Sequence, residues 1–126
     1  MPYNVYIIRA SGKVECSTQP KAPQLAQLQA AVGGYIETVP YFTKYNGLKR
    51  GRAYANEEGL LKSLPYNHNA SMAWRESYKF ATALVGDVIF YAKAATIKHL
   101  TEEQANDLFK GEDVKEMVYG FRKGQP

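Results

Sequence analysis

Apolar and polar positions alternate over residues 3–9, with Tyr3, Val5 and Ile7 on one side and Tyr6 and Ile8 on the other. A period of two in β-branched and aromatic residues predicts a strand buried on at least one face. Residues 10–13 carry turn chemistry, with Gly12 free to take positive φ, and residues 14–18 return as the second arm of a hairpin. Pro23 suits the first turn of a helix. Leu25, Leu28 and Val32 then recur at helical spacing, predicting an amphipathic helix of about ten residues that ends at Gly33-Gly34. Residues 35–42 form the next strand, with Pro40 at an edge or at its end because proline cannot donate to a ladder. Asn46-Gly47 marks a turn, and residues 52–55 a short strand. Asn56 is placed to cap a short helix over residues 57–63, and Asn69 to cap one over residues 70–77. Residues 87–93 alternate as the last clear strand. Thr101 with Gln104 has the spacing of a capping box ahead of a helix over residues 102–110, and residues 114–119 form a further short element.

The order ββαβ(β)ααβα predicts an α+β fold: a small, mainly antiparallel sheet with helices packed on one face. A chain of 126 residues fits one domain spanning residues 1–126. Ten tyrosines suit sheet surfaces and binding faces, since each packs a ring and keeps a hydroxyl for water or a partner.

Charge changes the picture through its distribution. Residues 1–55 hold seven basic and two acidic side chains, while the rest of the chain is nearly balanced. The densest segment, residues 44–52, carries four cations and no acid. Such a loop either attracts phosphates or is a solvated surface. The single cysteine, Cys16, rules out an intramolecular disulfide and fits a reducing, cytoplasmic setting. No apolar run approaches the length of a membrane helix, and the N-terminus does not read as a signal peptide, so no membrane association is expected.

Catalytic and metal patterns are missing. His68 and His99 lie far apart in sequence, and no Cys/His/Asp spacing makes a zinc site. There is no nucleophile elbow, phosphate-binding loop or dinucleotide fingerprint. Gly33-Gly34 leads into a strand, so it does not open a phosphate-cradling helix. Glu57 and Glu58 point about 100° apart on a helix, and helix-start electrostatics accounts for them. No metal, cofactor or catalytic residue is expected, and the pattern favours a binder over an enzyme.

Four blocks stand out as a set: Val32-Gly33-Gly34-Tyr35-Ile36-Glu37, Asn56-Glu57-Glu58-Gly59-Leu60, Leu64-Pro65-Tyr66-Asn67, and Gly86-Asp87-Val88-Ile89. Together they resemble a family common in bacteriophages and other mobile elements, catalogued only as a domain of unknown function. The resemblance covers about residues 25–109 and implies a phage or mobile-element origin; it supplies no activity. Residues 41–53 look longer and more basic than the family's usual pattern.

What remains is a binding constellation. Tyr35 and Glu37 share a strand face, and Asn56 and Asn67 stand at element boundaries, where their amides either cap or read a ligand's edges. Lys49, Arg50 and Arg52 are candidate phosphate ligands, Tyr66 a stacking ring, and Arg75 either a phosphate ligand or a surface charge. The expected partner is an anionic, nucleotide-like small molecule, held without being transformed by a protein that is a homo-oligomer. Nucleic acid, or a host protein inhibited by contact with exposed tyrosines, is the alternative.

Overall fold

Residues 2–94 are described by a computed structural model. The N-terminal alternation becomes β1 (Tyr3–Ile8), which pairs with β2 (Val14–Gln19) through a register running from Tyr3↔Gln19 to Ile8↔Val14. Gly12, at φ 99°, closes the turn, with its N–H donating to the Arg9 carbonyl at 3.0 Å. Helix α1 (Leu25–Val32) follows, then β3 (Ile36–Thr38), β4 (Arg52–Asn56), α2 (His68–Ser77) and β5 (Val88–Lys93). The five strands form one sheet in the order β2-β1-β5-β4-β3, and every neighbouring pair is antiparallel. The last of these strands in sequence therefore sits at the centre, which explains its nearly continuous burial.

Strand alternation divides the core in two. Tyr6, Ile8, Ala53, Ala55, Val88, Phe90 and Ala92 face α2, where Ala70, Ala73 and Trp74 cover them together with Phe42, Leu48 and Leu84. Val5 and Ile89 face the other way and meet Leu28, Ala31 and Val32 of α1. The antiparallel α+β fold expected from sequence is present, but the helices lie on opposite faces of the sheet, not on one. Both sides of β1 and β5 are apolar, so each side needs a cover.

Local corrections have equally specific causes. Helix α1 spans eight residues and starts after Gln24, leaving Pro23 outside it, and Leu25 is exposed. Gly33, at φ 78°, ends the helix, and the N–H groups of Gly33 and Gly34 both donate to the Gln29 carbonyl. Strand β3 has three residues where eight were expected. Tyr41 takes φ 62° beyond Pro40, and the chain leaves the ladder there. Residues 57–63 form successive turns instead of a helix. Leu60 and Leu61 are 83% and 86% exposed, so a helix there would gain no packing to offset its nucleation cost. Asn67, not Asn69, caps α2, accepting from the Ala70 N–H at 3.0 Å. The elements expected over residues 101–110 and 114–119, and His99, lie outside the described residues.

Candidate functional site

The basic segment between β3 and β4 folds back as a small hairpin. Asn46 (φ 49°) and Gly47 (φ 84°) both adopt left-handed conformations, as a two-residue primed turn requires. Tyr45 and Leu48 exchange backbone hydrogen bonds at 3.1 and 2.9 Å. Leu48 is buried, and the ring of Tyr45 meets Tyr6 edge-on at 5.1 Å. Asn46 donates its amide to the Tyr6 hydroxyl at 2.8 Å. Burial raises the hydroxyls of both Tyr6 and Tyr45 above the ordinary tyrosine value, so both are neutral at physiological pH. The hairpin is therefore anchored in the core by its inner side chains and presents its lysines outward.

Between this hairpin and α2 runs an open cleft of about 560 Å³. Lys44, Asn46 and Lys49 line one wall, and His68, Asn69, Met72 and Glu76 line the other. The volume falls within the range of small-molecule sites. Lys44, Lys49 and His68 are exposed, and among the described residues neither lysine has an ion-pair partner. The cleft thus offers two ammonium groups at one side and amide, imidazole and carboxylate groups at the other. Among the described residues no cluster of His, Cys, Asp and Glu could hold a metal ion.

The nine residues expected to form a ligand site do not converge on one point. Lys49 lines the cleft, and Arg50 is exposed beside it in a left-handed conformation. Arg52 begins β4 and shares its face with Tyr54, on the α1 side of the sheet, because Ala53 and Ala55 face α2. Tyr35 and Asn56 lie at the other end of the β3–β4 ladder, about 13 Å along the strand from Arg52. Glu37 is exposed opposite Ala55. Tyr66 is 45% exposed and its ring meets that of His68 edge-on at 6.1 Å. Arg75 is exposed on α2, its guanidinium 3.7 Å from the Met72 sulfur.

Both amides proposed as ligand readers are committed to the chain's own backbone. Asn67 is fully buried; it donates to the carbonyls of Ile8 (2.7 Å) and Gly86 (2.8 Å) while capping α2. Asn56 donates to the Val32 carbonyl at 3.1 Å and accepts from the Glu58 N–H at 2.8 Å. Sequence reasoning passed over Lys44, Asn69, Met72 and Glu76 as a group. Met72 and Glu76 stand four apart on a helix, which was a usable signal for one shared wall.

The family assignment rests on a match of residues 3–113 to a family described as Domain of unknown function (DUF3846). The chain belongs to this family. The match extends beyond the 25–109 stretch covered by the sequence blocks. No curated protein and no solved structure matches the chain. Within this DUF3846 chain, much of each block has a structural job. A Cβ at Gly34 would stand 2.9 Å from the Asn56 amide nitrogen, and one at Gly86 would stand 2.8 Å from Leu64. Asp87 accepts from the Ala10 N–H at 2.9 Å and pairs with Arg9, which also holds Glu15 at 2.7 Å. Among the described residues no helix is long and apolar enough to cross a membrane.

Proposed function

We propose that this chain is a non-enzymatic binder of a phosphorylated, nucleotide-type small molecule, held in the cleft between the 43–51 hairpin and α2. The observation that carries this reading is the pairing of Lys44 and Lys49 on one wall with Asn69 and Glu76 on the other, across a space of ligand size. Phosphate oxygens would meet the ammonium groups, and the amide and carboxylate would take hydrogen bonds from the amino edge of a base. The first turn of α2 adds the positive end of its dipole near His68 and Asn69. A phage-encoded protein of this kind would act in the host cytoplasm, removing a nucleotide signal used in defence. Such a binder can work as a homo-oligomer in which neighbouring copies close the open side of the cleft.

Isothermal titration of the full chain against cyclic mono- and dinucleotides, ADP-ribose-type compounds and inorganic phosphate tests the proposal. Saturable binding to at least one nucleotide is expected, weakened at least about tenfold by the double variant Lys44→Glu/Lys49→Glu, which replaces two attractive charges with repulsive ones. No heat with any member of the panel overturns the reading.

A further inference from the structure

The face of the sheet that carries α1 has a second feature, remote from the cleft. Helix α1 covers Val5 and Ile89 with Leu28, Ala31 and Val32. Toward one end of that face stand three tyrosines on three adjacent strands: Tyr3 of β1, Tyr91 of β5 and Tyr54 of β4. Their rings form a row. Tyr3 meets Tyr91 edge-on at 5.9 Å, and Tyr54 lies nearly parallel to Tyr91, with centroids 6.3 Å apart and an angle of 14° between planes. All three remain partly exposed.

Two exposed cations flank it. Arg52 is the direct register partner of Tyr91 on β4, and Lys93 is that of Tyr3 on β5. Among the described residues neither has a carboxylate within ion-pair distance. The acid that strand alternation puts on this face from β2, Glu15, is held by Arg9 opposite Ile7, away from the row. Packing between strands explains why tyrosines are tolerated here. It does not explain why the two flanking positions are both cationic and unpaired. Rings on neighbouring strands of an antiparallel sheet, bordered by positive charge, match a polymer that presents unstacked bases and phosphates together. A duplex keeps its bases stacked inside and offers a flat sheet only its phosphates.

We propose that the Tyr3–Tyr91–Tyr54 row, with Arg52 and Lys93, is a binding surface for single-stranded nucleic acid. The bases lie against the tyrosine rings, and Arg52 and Lys93 neutralise phosphates on either side. The surface is separate from the cleft, which opens on the α2 side of the sheet, so either can exist without the other.

Fluorescence anisotropy of the full chain with a labelled single-stranded oligonucleotide of about ten nucleotides tests this. Affinity is expected to fall between about 50 and about 200 mM salt with a shallow slope, set by two phosphate contacts. Arg52→Glu/Lys93→Glu should weaken binding at least about tenfold. Arg75→Glu/Lys79→Glu, the same charge change at exposed positions outside this surface, should weaken it less than about threefold. Tyr91→Leu, which keeps bulk but removes the ring, should lose at least about fivefold, and Tyr91→Phe should restore it. Circular dichroism confirms that each variant is folded; Tyr3→Leu, at the margin of the row, is the substitute if Tyr91→Leu is not. Duplex of equal length bound as tightly as single strand, equal losses in both charge pairs, or no binding at low salt overturns the proposal.

Discussion

Asn67 shows how one side chain can join distant parts of a chain. Its amide ties the end of β1 to the turn before β5, and its oxygen caps α2. Replacing it with alanine removes its hydrogen bonds to two backbone carbonyls and to a helix N–H, all in the buried interior. At about 1–3 kcal/mol for each buried hydrogen-bonding group that loses its partner, Asn67→Ala should cost about 3 kcal/mol of unfolding free energy. Asn69, exposed and donating to the Gly12 carbonyl at 3.3 Å, should cost about 0.5 kcal/mol or less when changed to alanine. Urea denaturation of the two variants measures the contrast. The sequence marked both asparagines as boundary residues but could not separate them. Which of the two is buried depends on where the end of β1 and the turn before β5 pass, 59 and 19 residues away at Ile8 and Gly86.

At the scale of elements, the turn within the basic loop over residues 43–51 was legible from Asn46-Gly47, because a primed turn needs two residues that tolerate positive φ; that the loop folds back as a hairpin was not. Its seat against the sheet was not legible. Gly51 is buried where the hairpin rejoins β4, its N–H donating to the Thr43 carbonyl at 2.9 Å. A Cβ there would overlap the Phe90 ring and stand 2.9 Å from the Tyr91 carbonyl oxygen. Phe90 is in the central strand and fully buried, so it has no room to retreat. Gly51→Ala should therefore destabilise the fold by about 1–3 kcal/mol, through overpacking, and should displace the wall that carries Lys44 and Lys49. A drop in the denaturation midpoint, with loss of ligand binding in the variant while it is still folded, is the expected outcome. The turns over residues 57–63 show the opposite case. There the local pattern favoured a helix, and nothing among the described residues covers Leu60 and Leu61.

Across the whole molecule, burial leaves a signature in pH. Tyr6, Tyr45 and Tyr91 all have hydroxyls raised above the ordinary tyrosine value, each chiefly by removal from water. The native state holds these protons more tightly than the unfolded chain does. Stability from this source is therefore complete below the unfolded tyrosine value of about 10, and is lost as pH rises through it toward the folded values. The urea midpoint should fall between about pH 9 and about pH 11, and tyrosine ionisation followed by absorbance should show a late-titrating group. A midpoint that stays constant over that interval would contradict the assignment. The sequence by itself determined the strands of the first hairpin and of β5, the α+β class and the basic turn, because alternation, glycine placement and charge are local properties. Only the tertiary structure decided that the helices take opposite faces and that Asn56 and Asn67 serve the backbone. It also separated Arg52 from Lys49 onto different sides of the sheet. Those outcomes depend on strand order and on the parity of each residue within its strand, and parity acquires meaning only once neighbouring strands are in place.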